Sequence, residues 1–184
     1  MWKRYICHLT DGFPSCSEVL DLGCGSGDPW TKMLSNYFAV TGVDISPGQF
    51  ARARANVPNA KFVLADITEV EYSAESFDGV TAFYSITHVP RELHPELLEK
   101  IAGWLRVGGR FIGTFHHRAH AEDYDPDWFG APMFWSGYGP EDNRSMVEAA
   151  GFRIISCKIE IIPIDVDGSS SKFQLIVAEK VQQI

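Results

Sequence analysis

Cysteine is scarce in this chain, and none of it is paired by spacing: Cys7, Cys16, Cys24 and Cys157 stand far apart. The absence of any C-x-x-C excludes a zinc clasp or a thioredoxin-type redox motif. Four cysteines in 184 residues do not make a disulfide scaffold, and reduced thiols fit a cytoplasmic protein. No run of 18 apolar residues is present to cross a bilayer, so no membrane partner is expected. The opening residues, Met1 to His8, lack the apolar stretch of a secretory signal. Lys/Arg runs are missing too. With 16 basic against 24 acidic residues, a net charge of −8 and a pI near 5.2, the chain has no basic face to neutralise phosphates. Nucleic acid is therefore not expected as a substrate. Internal repeats, low-complexity tracts and linkers are also absent.

What remains is an ordinary globular composition, 45% apolar and 22% charged. At roughly 150 residues per domain, residues 1–184 read as one domain. A chain of this length buries about 70% of its unfolded surface and folds without a staple.

Apolar runs alternate with helical patterns from residue 17 to about 150. The runs are Ser17 to Leu22, Phe38 to Val43, Ala60 to Ala65, Phe77 to Tyr84 and Arg110 to Phe115. None alternates strictly with polar residues, which suits parallel strands covered on both faces. Between them, Asp28-Pro29 and Ser46-Pro47 read as helix starts. Leu97, Leu98, Ile101, Trp104 and Leu105 lie on one helical face, stopped by Gly108-Gly109. Strand and helix in this order predict right-handed crossovers and a doubly wound sheet. Glu141 to Ala150 reads as a helix closed by Gly151. Two apolar stretches then follow, Phe152 to Ile162 and Lys172 to Ala178, joined through Pro163 and Asp167-Gly168-Ser169-Ser170. Two strands joined by a turn should pair antiparallel. His117 to about Gly139 is the longest stretch expected to be irregular.

Asp21-Leu22-Gly23-Cys24-Gly25-Ser26-Gly27 follows the first strand and opens a helix. Glycines at that place allow a sharp turn and the close approach of a ligand to the main chain. A dinucleotide fingerprint needs its third Gly or Ala at residue 28. Residue 28 is Asp, which would repel a pyrophosphate. The loop favours S-adenosylmethionine over NAD.

The series VLDLGCGSG, TGVDIS, VLADIT, FDGVTAFYS and LRVGGRFIG resembles the class I S-adenosylmethionine-dependent methyltransferases from Ser17 to Phe115. The ending (helix, strand, turn, strand) resembles that family's last hairpin. The resemblance implies a Rossmann-like α/β sheet of seven strands, mostly parallel, with a C-terminal antiparallel hairpin. It also implies roles for single positions. Asp21, Gly23, Gly25 and Gly27 would line the methionine part of the cofactor. Asp44, 21 residues past Gly23, would take both ribose hydroxyls, with Ile45 beside it. Asp66 would hold the adenine amino group, with Ile67 packed on the ring. Phe83, Tyr84 and Ser85 would face the sulfonium. For Asp44 and Asp66 a plain helix-cap role stays open. Cys24 reads as a small residue that fits the turn, since no base adjoins it.

Methyl transfer needs alignment above all, and a base only when the acceptor must lose a proton. His88, four residues past Tyr84, is the first candidate for that base or for orienting the substrate; a loop histidine bonded to backbone is the other reading. Tyr84 is the second catalytic candidate. His116-His117-x-x-His120 matches no zinc spacing, and Asp123 to Asp127 lacks the Gly and Glu of a calcium loop, so no metal is expected. The stretch after the fifth strand carries Tyr124, Trp128, Phe129, Phe134, Trp135 and Tyr138. Trp135 and Tyr138, with His88, are the candidates for contact with a small-molecule acceptor; packing on the sheet edge is the alternative for these aromatics.

Only 18 residues precede Val19, room for one short helix from Trp2 to Leu9. The expectation is an open site, a second copy or partner chain that completes it, or a truncated chain. Two other function classes stay in play: a non-catalytic cofactor-binding subunit, and a nicotinamide-dependent oxidoreductase.

Overall fold

Runs of apolar residues that carry no polar face can be satisfied only where both sides of a sheet are covered. The structure, a computed structural model, describes residues 3–128, 130–164 and 169–182. Its first half comprises α1 (Lys3–Thr10), β1 (Glu18–Leu22), α2 (Trp30–Leu34), β2 (Ala39–Asp44), α3 (Pro47–Asn56), β3 (Lys61–Leu64) and β4 (Phe77–Ala82). The second comprises α4 (His94–Trp104), β5 (Leu105–His116), β6 (His120–Trp128), β7 (Ala131–Gly137), α5 (Pro140–Ala149), β8 (Phe152–Ile164) and β9 (Ser169–Lys180). Seven strands form one sheet in the order β3-β2-β1-β4-β5-β9-β8. The first five are parallel, while β9 runs antiparallel to β5 and β8 antiparallel to β9. Winding reverses between β1 and β4, which opens a crevice at their C-terminal ends.

Both faces of the sheet are covered along its middle strands, whereas β3 at one edge is largely exposed and β8 at the other exposes Ile155, Ile159 and Ile161. On one face, Leu97, Leu98 and Ile101 of α4 and Val147 of α5 pack against Leu20, Phe111 and Ile176. On the other, Tyr5, Ile6 and Leu9 of α1 and Leu34 of α2 pack against Val19, Ile112 and Val177. Neighbours in one strand thus enter opposite cores, which is why those runs are apolar throughout. The Tyr5 hydroxyl donates to the buried Glu160 carboxylate of β8, and Arg110 of β5 donates to the His8 carbonyl. These two bonds fasten α1 across the sheet. Among the described residues no helix is long and apolar enough to cross a membrane.

The expected strands and helices are present, with three differences. Helix α4 ends at Trp104, not at the Gly108-Gly109 pair, and Leu105 is already extended and paired with Phe77. Leu105 fits the helical stripe only because a buried strand residue is equally apolar. Asp28 does not cap α2: Pro29 holds that position, and the Asp28 carboxylate pairs with Lys32 at 3.1 Å. Ser46, by contrast, accepts from the Gln49 amide ahead of α3.

The third difference bears on the site. The stretch expected to be irregular forms a separate two-stranded hairpin, β6–β7, with Asp123 opposite Trp135 and Tyr124 opposite Phe134. Strand β6 buries almost none of its residues and contains three Asp and one Pro, so it carries neither alternation nor strand composition. Phe129, Trp2, Asp167 and Gly168 lie outside the described residues.

Leu98→Ala, at a fully buried position of α4, is expected to cost about 2–5 kcal/mol in urea unfolding. Ile159→Ala, on the exposed side of β8, should stay within about 0.5 kcal/mol.

Candidate active site

The loop between β1 and α2 is shaped by three glycines in the left-handed region: Gly23 at φ +71°, Gly25 at +56° and Gly27 at +77°. A side chain there would be strained in any surroundings. The surroundings differ nonetheless. A Cβ at Gly23 would overlap Ser85 and one at Gly27 would press on Val57 at 3.0 Å, whereas one at Gly25 would meet nothing within 4 Å. Gly23 and Gly27 thus pack the loop onto its neighbours, and Gly25 faces open space. Cys24 is buried in the turn, and burial pushes its thiol well above the usual range, so it is no nucleophile.

Two carboxylates fix this loop. Asp21, 1% exposed, accepts from Thr31 Oγ1 at 2.6 Å and Thr81 Oγ1 at 2.8 Å, joining β1 to α2 and β4. Its side chain therefore bonds beneath the loop, to protein hydroxyls. Asp44, at the end of β2, accepts from the Gly25 amide at 2.8 Å through Oδ2 and from the Ser46 amide at 2.9 Å through Oδ1. Each oxygen keeps acceptor capacity beyond these bonds. Ile45 beside it is 66% exposed, an apolar surface that folding alone does not explain. Asp66, after β3, accepts from the Thr68 amide and hydroxyl at 2.8 Å, both on Oδ1. That is the geometry of a turn cap, and among the described residues Oδ2 has no hydrogen-bond partner. Ile67 is buried.

Phe83, Tyr84 and Ser85 follow β4. Phe83 is buried with its ring 4.8 Å from Trp30, and Ser85 Oγ donates to the Leu22 carbonyl at 2.7 Å. Tyr84 has φ +58°, a conformation that L residues rarely adopt, and its amide is held by Thr114 Oγ1 at 2.5 Å. Burial pushes its phenol pKa up, and the nearby Tyr5 and Glu160 push it further, so Tyr84 keeps its proton near neutrality. His88 ends the 3₁₀ turn Ile86–His88, with Nδ1 2.8 Å from the Phe134 carbonyl of β7. A carbonyl can only accept, so Nδ1 carries the hydrogen and Nε2 the lone pair. The packing around the ring lowers its pKa, partly countered by that bond.

The hairpin is anchored by residues distant in sequence. Asn143 Nδ2 of α5 donates to the carbonyls of His116 and Tyr138 and to Gln174 Oε1, while Gln174 Nε2 of β9 reaches the Pro140 carbonyl. Ser136 Oγ donates to the Ala121 carbonyl and accepts from the Arg91 amide. A cleft of about 760 Å³ lies between this hairpin and the start of β9, and Trp135 lines it. His88 stands next to it, its ring 6.0 Å from Trp135. Tyr138 does not line the cleft. Its ring packs edge-on against His94 at 6.1 Å with the Arg91 guanidinium over it at 5.3 Å, because β7 turns it toward α4.

Sequence reading missed Thr31, Thr81, Thr114, Asn143 and Gln174. Threonine inside an apolar strand run is the one signal that could have pointed to Thr81 and Thr114; the two amides leave no local trace. Burial raises the pKa of Asp21 above its usual 3.8, and the Thr31 and Thr81 bonds only partly oppose this. The folded state thus holds this proton more tightly than the unfolded state, and stability attributable to Asp21 declines as pH rises through and above 3.8. Asp21→Asn should remove that decline, seen as a flatter stability-versus-pH curve in urea titrations between about pH 4 and 7.

Known proteins share this fold. The family model described as a methyltransferase domain matches residues 19–109. The 27-O-demethylrifamycin SV methyltransferase of Amycolatopsis mediterranei is 38% identical over 106 residues, 53% of this chain and 38% of that protein. The chain spans less than half the length of the curated relatives it matches first. Among solved structures, an S-adenosylmethionine-dependent methyltransferase from Methanosarcina mazei superimposes with a TM-score of 0.81 at 16% identity, covering 96% of this chain and 98% of the other. The 1,6-didemethyltoxoflavin-N1-methyltransferase of Burkholderia thailandensis, solved with 1,6-didemethyltoxoflavin and S-adenosylhomocysteine, gives a TM-score of 0.71 at 21% identity, covering 97% and 76%. With its motifs in order on the switch-point crevice of a 3-2-1-4-5-9-8 sheet, the chain belongs to the class I S-adenosylmethionine-dependent methyltransferases.

Proposed function

We propose that the chain is an S-adenosylmethionine-dependent methyltransferase that transfers a methyl group to a small-molecule acceptor by in-line displacement. The observation that carries this reading is the clasp of Gly25 to Asp44, with open space above Gly25 and the exposed Ile45 beside it. The residues present fit the cofactor. Gly23, Gly25 and Gly27 give a main-chain cradle for the methionine part, and Asp21 holds that cradle from below. Asp44 has acceptor capacity left for ribose hydroxyls, Asp66 Oδ2 would take the adenine amino group, and Ile45 offers exposed apolar surface for the ring while Ile67 packs in the core. Phe83, Tyr84 and Ser85, on the segment that follows β4, would border the sulfonium. When bound, the cofactor supplies an activated methyl group on a good leaving group.

The protein's share is then alignment and, for an acceptor that must lose a proton, a base. His88 is suited to that task. Its proton is fixed on Nδ1 by the Phe134 carbonyl, which leaves Nε2 to accept or to orient. A nicotinamide cofactor is disfavoured by Asp28 at the loop and by α2, whose five residues give little macrodipole for a pyrophosphate. All four cysteines are free, in keeping with a cytoplasmic setting.

Calorimetric titration is expected to show binding of S-adenosylmethionine and S-adenosylhomocysteine and none of NAD. Asp44→Ala should weaken both by roughly ten- to a hundredfold, since it removes a ribose acceptor and releases the Gly25 amide. Unchanged affinity would remove Asp44 from the site. With a protonated acceptor, the pH profile of kcat should hold through neutrality and fall only below 6.5, where a His88 of lowered pKa gains its proton. His88→Gln should abolish this limb and lower kcat by roughly 10²- to 10⁴-fold.

A further inference from the structure

The cleft of about 760 Å³ beside the hairpin is walled by flat rings. Phe173, His116 and His120 lie in nearly parallel planes: His116 is 6.5 Å and 29° from Phe173, and 5.3 Å and 21° from His120. The hairpin adds Trp128 and Trp135, a T-shaped pair 5.1 Å apart. Among the described residues that line the cleft there is no Leu, Ile, Val or Met. Such a wall offers face and edge contacts to a planar ring and little branched surface for an aliphatic chain.

The charges along the cleft balance. Arg118 and Lys172 are matched by Asp123 and Asp125, so a phosphate or polycarboxylate acceptor finds no excess of cations. Burial and the neighbouring His120 drive the His116 pKa down to about 4, partly opposed by a bond to the Thr87 backbone, so the centre of the ring stack stays uncharged at neutral pH. His120 lies 3.4 Å from Asp123 and forms a polar edge to the cleft.

The cleft also adjoins the residues that follow β4. Tyr84 meets Phe173 edge-on at 5.0 Å, and His88 meets Trp135 at 6.0 Å. The anchors at Asn143, Gln174 and Ser136 hold the hairpin wall in place before any ligand arrives. We propose that this cleft receives a flat aromatic acceptor that lies against the ring wall of Phe173, His116 and His120, with its reacting hydroxyl or N–H toward His88 and its far edge toward the His120–Asp123 pair. The proposal rests on the methyltransferase reading, whose acceptor site it specifies.

The test is calorimetry of the full chain with 2-naphthol and with decahydro-2-naphthol, an alcohol of similar size without flat rings. 2-Naphthol should bind at least roughly tenfold more tightly. Phe173→Leu, which keeps apolar volume but loses the ring, should weaken it by roughly three- to tenfold and leave the saturated alcohol nearly unaffected. Trp135→Ala should act in the same direction from the hairpin wall; Phe173→Leu keeps the test valid if that hairpin shifts. Equal affinity for the two alcohols, or indifference of 2-naphthol to both variants, overturns the proposal. A parallel titration with S-adenosylhomocysteine separates the two readings. Binding of that compound without a naphthol preference sinks the aromatic cleft alone, whereas a naphthol preference without it upholds the cleft and sinks the cofactor assignment.

Discussion

The bond from the Gly25 amide to the Asp44 carboxylate is the contact on which the candidate site depends. A loop of three left-handed glycines has a large conformational freedom to lose, and nothing in its own sequence selects one shape. Asp44 selects it from the side, at the end of β2, and also holds the Ser46 amide that begins α3. Asp21 selects it from below through Thr31 and Thr81. The parallel register of β1 with β2 and β4 brings these carboxylates to the same end of the sheet. A fold that places two acids around a glycine turn leaves main-chain surface open above Gly25, and that opening is what a ligand can use.

The hairpin beside the crevice is organised on a different principle. The β6–β7 hairpin has little core of its own, and an isolated two-stranded ribbon is marginal in water. Its stability is borrowed from buried side-chain bonds: Asn143 gathers the His116 and Tyr138 carbonyls, and Gln174 ties α5 to β9. Ser136 and the Phe134 carbonyl then connect it to the turns after β4. The hairpin meets the turn after β4 at His88, while the glycine loop meets the same segment at Ser85. Local chemistry there runs toward neutral forms. Burial keeps Tyr84 protonated and His116 unprotonated near pH 7, and the packing around the His88 ring lowers its pKa.

The division between legible and hidden features follows sequence distance. β1, β2 and β4 were visible because a strand buried on both faces must be apolar throughout, and the glycines of the loop because positive φ excludes other residues; β3 was visible as an apolar run although it is a largely exposed edge strand. Ser46 was visible as a cap because its partner, Gln49, lies three residues away. The boundary of α4 was misplaced because burial in a helix and burial in a strand select the same Leu105. The hairpin was hidden because its exposed strand carries no periodicity, and the packing of Tyr138 on His94 and Arg91 was hidden because those partners are distant in sequence.

By itself, then, the sequence determined the alternation of strands and helices, the glycine turn, the two acidic strand ends and the antiparallel close of the sheet. Each depends on requirements that a residue meets within its own segment: a dihedral angle, a periodicity, a cap. Only the tertiary structure decided that Asp21 turns to Thr81 sixty residues on, that Asn143 and Gln174 secure the end of β5, and that Phe173 joins His116 and His120 in one wall. Those contacts join residues whose separate environments give no sign of one another, and they exist only once the sheet order has brought the strands together.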